Sequence, residues 1–241
     1  MVLNGKTAVI VGAGGGMGSV LVNKLEKEGV ICVLVEKERD LLGDLTHLLD
    51  GNRHYFYECD LSNPDNVQQL TEKIALKFGK IDFLYNVAGI GIYKTIEELT
   101  YKEWVDSLTI NVTGPFLLIK GLVPLLSKSD RALVVNFGSG MGVFPKAGRI
   151  AYCASKFALR GFTLSLAKEF KGRNIDFCLL TLGSVMTNFG SGGLELRKKL
   201  EKEGKKYLQP GGIIDKVIEI TKTDAREAEY VMYPEGYVDG D

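Results

Sequence analysis

A single doubly wound parallel α/β sheet of about seven strands, with helices on both faces, is the fold class this sequence predicts. Three observations predict it. Short β-branched apolar runs alternate with helix-like patterns along the whole chain. The first run leads into a glycine-rich turn, a helix, and a second run that ends in an acid. The 241 residues are 45% hydrophobic and 25% charged, which suits one core and one domain spanning 1–241.

Residues 6–11 (Lys-Thr-Ala-Val-Ile-Val) are the first strand, apolar on both faces as in a parallel sheet. Gly12, Gly16 and Gly18 punctuate the turn that follows, and residues 19–28 carry an amphipathic helix pattern. Gly29 ends that helix. Residues 30–35 are a second buried strand, closed by Glu36. A glycine-rich turn that opens a helix lets backbone N–H groups approach a pyrophosphate. An acid at the end of the second strand accepts the ribose hydroxyls of an adenosine. The unit therefore predicts dinucleotide binding in a Rossmann-type sheet.

Residues 38–49 read as a helix and 53–58 as the third strand. Asp60 sits where that strand turns to loop. It is either a turn acid or a partner for the adenine amine, and the two readings stay open. Ser62 or Asn63 caps a helix running to Phe78. Residues 81–85 are the fourth strand, followed by the small residues Ala88 and Gly89, which let a cofactor lie against backbone. Thr100 caps a long helix reaching Leu126, and Asn111 lies inside it just before Gly114 and Pro115. That interruption predicts distorted, functional helix backbone.

Residues 132–137 are the fifth strand and 175–181 the sixth. Between them Tyr152 and Lys156 lie four residues apart, on one face of a helix running to about Lys171. An ammonium near a phenol favours the phenolate, so the Tyr152 pKa is expected to fall, making it a general acid or base. Ser139 precedes the pair by thirteen residues. Residues 188–209 read as a mobile lid. Its six bases, Arg197, Lys198, Lys199, Lys202, Lys205 and Lys206, either attract an anionic substrate or form a solvated helix face. Residues 213–220 are the last helix. The final strand is 229–233 or 236–239.

Composition excludes other classes. Thirty bases balance thirty acids, against a nucleic-acid surface. With only His47 and His54, a histidine-rich metal site is not expected, and no metal is assigned. Cys32, Cys59, Cys153 and Cys178 read as buried thiols in a reducing, cytoplasmic setting. No secretory signal and no apolar stretch of membrane-spanning length is read from the sequence, so no membrane partner is expected.

Taken together these residues resemble the short-chain dehydrogenase/reductase family over nearly the full length. Gly12, Gly16 and Gly18 are similar to its cofactor turn, and Asp60-Leu61 to its adenine-contacting pair. Asn86-Val87-Ala88-Gly89 resembles its Asn-Asn-Ala-Gly segment. Residues 183–187 resemble its Pro-Gly-x-x-x-Thr segment, near the nicotinamide. Asn111, Ser139, Tyr152 and Lys156 match its catalytic tetrad in order and spacing. The resemblance implies cofactor contacts from Gly12, Gly16, Met17, Gly18, Glu36, Asp60, Leu61, Asn86, Ala88, Gly89, Tyr152, Lys156, Val185 and Thr187. It implies hydride transfer between a nicotinamide and a small-molecule carbonyl or alcohol. Tyr152 is then the proton donor or acceptor, Ser139 positions the substrate oxygen, Lys156 lowers the Tyr152 pKa and holds the ribose, and Asn111 holds a relay water.

Three positions depart from the pattern. Val11 stands where Thr is usual, Val87 replaces an Asn, and Leu182 replaces the Pro. Val11 and Val87 are read together, as a polar pair lost from both sides at once. Glu36 favours NAD over NADP by repelling a 2′-phosphate, whereas Lys37 beside it favours NADP. An NADPH-dependent biosynthetic reductase, ketoacyl- or pterin-like, is the second expectation. A non-catalytic dinucleotide sensor is the third. The family's habit of tetramer formation implies a homo-oligomer, with Phe157, Leu159, Phe162 and Leu166 either at its interface or in the core.

Overall fold

The computed structural model describes residues 1–51 and 53–237. Seven parallel strands form one sheet: β1 Thr7–Val11, β2 Ile31–Glu36, β3 Tyr55–Glu58, β4 Phe83–Asn86, β5 Ala132–Phe137, β6 Ile175–Leu182 and β7 Glu229–Met232. Their spatial order is β3-β2-β1-β4-β5-β6-β7. The order reverses between β1 and β4, where Val11 pairs with Asn86 at the carboxyl ends. A crevice opens at such a reversal, and ligands bind there.

Both faces of the sheet are buried, and the strand period shows it. Ala8, Ile10, Cys32 and Leu34 pack on one face with α1 (Gly18–Lys27) and α7 (Pro210–Lys222). Val9, Val11, Val33 and Val35 pack on the other with α2 (Pro64–Lys77) and α4 (Gly114–Leu126). Successive side chains on a strand point to opposite faces, so each run of β-branched residues feeds two cores. All four cysteines are buried free thiols. Burial pushes Cys32 up to about 12 and Cys59 to about 11, which leaves them protonated packing groups.

The caps follow the sequence. Asn63 Oδ1 accepts from the Asp65 and Asn66 N–H groups and starts α2, whereas Ser62 does not cap it. Thr100 and Glu103 form a reciprocal capping box at the start of α3 (Tyr101–Leu108). The final strand is the first of the two expected segments. The other reaches residues 238 and 239, which lie outside the described residues.

Several expectations are corrected. Residues 38–49 are not one α-helix but short 3-10 turns over Arg39–Leu49, broken at Gly43, whose φ of +51° lies in the left-handed region. The third strand begins at Tyr55, because the His54 ring, rather than strand backbone, accepts the Cys32 N–H at 3.0 Å. The span 101–126 is long and apolar enough to cross a membrane by length and composition, against the sequence expectation. It is two helices, α3 and α4, joined by a π-turn at Thr109–Thr113, and Leu118, Leu122 and Leu126 are fully buried in the core.

Candidate functional site

Two adjoining cavities lie along the carboxyl edge of the sheet. The first, about 210 Å³, is lined by Gly12, Glu36, Lys37, Leu41, Asp60, Leu61, Ala88 and Gly89, among others. The glycines mark close approach. Gly12 has φ +83°, and a Cβ there would sit 2.7 Å from the Ala88 nitrogen. A Cβ on Gly18 would sit 1.9 Å from the Gly12 carbonyl oxygen. A Cβ on Gly16 would press on the Thr187 methyl at 3.0 Å. Turn, Ala88 loop and Thr187 loop are thus packed as one surface. At its lip α1 begins with Met17 as cap, no capping side chain and no acid in its first turn. Its amino end is left to a phosphate.

Glu36 is held at this cavity by two backbone donors, Gly14 N–H at 3.1 Å and Lys37 N–H at 3.0 Å. The sequence reading missed Gly14, where a Cβ would strike the Leu41 carbonyl at 1.9 Å. Asp60 makes a turn, one of the two readings left open, accepting from the Ser62 N–H and hydroxyl at 2.9 and 2.7 Å. It also pairs with Lys37 at 3.0 Å. The hydrogen bonds from Ser62 and Lys37 hold its carboxyl below the usual range against the opposing cost of burial.

The second cavity, about 200 Å³, is lined by Met17, Ser139, Tyr152, Lys156, Val185 and Thr187, and by Tyr93, Arg149, Phe189 and Arg197. Tyr152 and Lys156 project from α5 (Ile150–Glu169), and both are buried. Ser139 follows β5. Its hydroxyl accepts the Met141 N–H at 3.2 Å and lines the same cavity as Tyr152. Lys156 Nζ donates to the Phe137 carbonyl at 2.9 Å and lies 5.7 Å from the Tyr152 ring centre. Tyr93 meets that ring edge-on at 5.7 Å, and Phe189 tilts against it at 5.8 Å.

The expected fall in the Tyr152 pKa is not what this geometry gives. Burial raises it above the ordinary phenol range, and Tyr93 adds to the rise, while the Ser139 hydrogen bond opposes it. Burial also lowers Lys156 to about 8. A dry pocket disfavours both charged forms, and the ammonium is anchored on a carbonyl rather than on the phenol.

Asn111 sits in the π-turn, and it joins neighbouring elements. Its Oδ1 accepts the Ile90 N–H at 2.8 Å, and its Nδ2 donates to the Ile90 carbonyl and to Ser155 Oγ, both at 2.9 Å. Ser155 in turn donates to the Tyr152 carbonyl at 2.8 Å. A Cβ on Gly89 would lie 3.0 Å from Asn111 Oδ1 and 3.7 Å from Lys156 Nζ. Asn86 lines neither cavity. Its Nδ2 donates to Asn136 Oδ1 at 2.7 Å, but its buried Oδ1 has no partner among the described residues. The reading of Val11 and Val87 as a matched loss is therefore corrected. Val11 pairs in register with Asn86, which keeps its amide and is left with an orphan acceptor.

Residues 188–209 contain α6 (Gly193–Lys202). Arg197 ties it down by donating to the Thr187 and Phe189 carbonyls. On the far side Leu208 bridges to Val185. Lys198, Lys199, Lys202 and Lys206 are exposed, so the solvated-face reading holds for four of the six bases, while Arg197 and Lys205 line the cavity. Tyr93 and Tyr237 escaped the sequence reading, because no local pattern ties them to a strand end, while Arg149 and Phe189 fall in the 141–150 loop and the 188–209 segment without being singled out there.

The family model for short chain dehydrogenase matches residues 6–195. Over 190 residues the chain is 30% identical to D-threitol dehydrogenase of Mycolicibacterium smegmatis, covering 78% of this chain and 73% of that one. It is 33% identical over 187 residues to carbonyl reductase family member 4 of Danio rerio, covering 78% of each. It is 28% identical to the 3-oxoacyl-acyl-carrier-protein reductase FabG of Buchnera aphidicola, covering 100% and 98%. The structure superposes on an alcohol dehydrogenase from Thermococcus sibiricus complexed with 5-hydroxy-NADP, with a TM-score of 0.83, 25% identity and 97% of each chain covered. The chain belongs to the short-chain dehydrogenase family. Within it, this protein is an oxidoreductase that works with a nicotinamide dinucleotide.

Proposed function

We propose that the protein is one domain that moves a hydride between NAD(H) and a carbonyl or secondary alcohol, with Tyr152 as the proton donor and acceptor. The observation that carries this reading is that Ser139, Tyr152 and Lys156, the last two one helical turn apart on α5, line one cavity. When bound, the nicotinamide supplies or takes up the hydride. Tyr152 gives its hydroxyl proton to the carbonyl oxygen in reduction and recovers it in oxidation. Its raised pKa keeps that proton in place at neutral pH. Ser139 holds the same oxygen and stabilises the phenolate left behind. Lys156 reaches the nicotinamide ribose, and its charge favours the phenolate. Asn111 positions the Gly89 loop and α5 with respect to each other.

Gly12, Gly16, Met17, Gly18, Ala88, Gly89, Val185 and Thr187 form the cofactor surface, and Leu61 walls the adenine end. Two details support NAD. The Glu36 carboxylate is fixed by the Gly14 and Lys37 N–H groups, where it would meet the ribose of a bound dinucleotide, and Lys37 is engaged by Asp60. NADPH remains the second reading. Lys37 is more than half exposed, and the Thermococcus relative carries an NADP derivative. Titrating the protein with NADH and with NADPH, followed by nicotinamide fluorescence, separates the two. Tighter NADPH binding overturns the Glu36 argument. We assign the protein to the cytoplasm and to a homo-oligomer, tetramer or dimer. Phe157 and Phe116 are exposed on neighbouring helices, whereas Leu159 is buried and Phe162 and Leu166 pack on the core.

A further inference from the structure

Among the described residues the second cavity is electrostatically one-sided: Arg149, Lys156 and Arg197 line it, and no Asp or Glu of the described residues does. The chain as a whole balances thirty bases with thirty acids, so this is a local arrangement. Arg149 is the least satisfied member. Its guanidinium lies over the Tyr93 ring, 3.5 Å from the centroid. Its Nη1 is buried and has no hydrogen-bond partner among the described residues. A buried guanidinium donor left unpaired is costly, and a ligand oxyanion removes that cost. The planar guanidinium also matches a carboxylate geometrically.

Arg149 stacks on Tyr93, and Tyr93 in turn packs edge-on against the candidate tyrosine, Tyr152. The guanidinium carbon lies 3.5 Å from the Tyr93 centroid, and Tyr93 lies 5.7 Å from the Tyr152 centroid. The sum of these distances caps the gap between cation and phenol ring, which is the length of a short acyclic molecule. Tyr93 and Phe189 wall that space with apolar surface.

We infer that the substrate is a short oxo acid or hydroxy acid, whose carboxylate is anchored by Arg149 while its carbonyl or hydroxyl meets Ser139 and Tyr152. This rests on the hydride-transfer reading above. The carboxylate takes no part in the bond changes; it fixes orientation and is recognised by charge. Arg197, held on the Thr187 and Phe189 carbonyls, adds positive potential from the other wall.

The test uses the whole protein with saturating reduced cofactor and a matched pair of substrates, acetoacetate and its methyl ester. The expected result is a kcat/KM preference for the anion on the order of tenfold or more. Arg149→Met is expected to collapse that ratio toward one, and Arg149→Lys to restore part of it. Lys198→Met, on the exposed face of α6, is the control that leaves the ratio unchanged. Equal turnover of anion and ester by the unmodified protein overturns the inference and leaves the hydride reading standing. A second arm needs no turnover: calorimetric titration of cofactor-saturated Tyr152→Phe protein with acetoacetate. Saturable binding that weakens at least about tenfold on adding Arg149→Met supports the anchor. Binding that ignores Arg149, or no binding, overturns it. Binding intact but no turnover of either substrate by the unmodified protein points instead to failure of the hydride reading.

Discussion

The two cavities are built by different means. The one beside β1 and β2 is made by backbone. Gly12 approaches Ala88 too closely for a side chain, and Glu36 is fixed by two N–H groups. Its Lys37–Asp60 ion pair is partly exposed, at 57% and 31%, and carries little weight in stability. The cavity beside β5 and β6 is made by side chains delivered from separate segments, and its Tyr152 and Lys156 are buried and shifted. Binding a common cofactor needs only a rigid surface. Choosing and activating a substrate needs dry, charged groups, which the fold must hold against their preference for water.

The contrast is tested most severely at Tyr152. Tyr152→Phe removes the proton but keeps the ring that Tyr93 and Phe189 pack against. Turnover is expected to fall roughly 100- to 10,000-fold, with cofactor affinity little changed. Near-full activity in a steady-state assay would remove the tyrosine from the mechanism. The next effect is on stability. Lys156 titrates near 8 in the folded protein against 10.5 unfolded, so the unfolded chain binds more protons between those values. Stability therefore rises with pH from about 8 to 10.5 and is lowest, on this account, below 8. Above about 10 the raised Tyr152 pKa works the other way, because the folded state keeps a proton the unfolded state loses. Lys156→Met is expected to stabilise the cofactor-free protein at pH 7 by on the order of 3 kcal/mol and to flatten the alkaline rise. Urea midpoints at pH 7 and 9 measure both. A destabilised variant would mean the ammonium is already solvated.

The same division explains what was legible in the sequence. Strand runs, the glycine turn and Glu36 follow local periodicity, and the Tyr152–Lys156 pair follows helical spacing; the fold sets Glu36 in the first cavity and Ser139, Tyr152 and Lys156 in the second. Arg39–Leu49 misled because helical periodicity outweighed one glycine, Gly43. Tyr93, Arg149 and Phe189 were not singled out because they come from separate segments, Phe189 and Tyr93 meeting the Tyr152 ring and Arg149 meeting Tyr93, and nothing local encodes those meetings. The Tyr152 shift was misjudged for a related reason. Spacing puts Lys156 nearby, but the Phe137 carbonyl that anchors its ammonium lies nineteen residues away in sequence.

At the backbone-built end the largest lever is Glu36. Its replacement by Ala removes the partner of the Gly14 N–H and, on the proposed function, the acceptor for the ribose hydroxyls. NADH affinity is expected to fall roughly ten- to a hundredfold, from the loss of hydrogen bonds to a charged group. NADPH should lose much less, so the preference relaxes or reverses. Parallel fluorescence titrations read the ratio, and an unchanged ratio would show that the carboxylate is not the selector.

The smallest effect lies at the seam between the two ends, where β1 meets β4. Val11 faces Asn86 in register, and the Asn86 Oδ1 is buried without a donor. An unmet buried acceptor costs about 1–3 kcal/mol, and a hydroxyl on the neighbouring strand supplies the missing donor. Thr is close to Val in shape and equally suited to a strand. Val11→Thr is expected to stabilise the protein by about 1 kcal/mol, the gain of the hydrogen bond less the loss of a buried methyl. In a chain of this size that raises Tm by roughly 2–4 °C. A drop of similar size in a thermal melt would mean the hydroxyl does not reach Asn86 and is itself buried unpaired. Val11 itself lines the first cavity, so cofactor affinity is measured beside the melt; a hydroxyl turned to Asn86, whose other contact runs inward to Asn136 and Thr163, is expected to leave that affinity little changed.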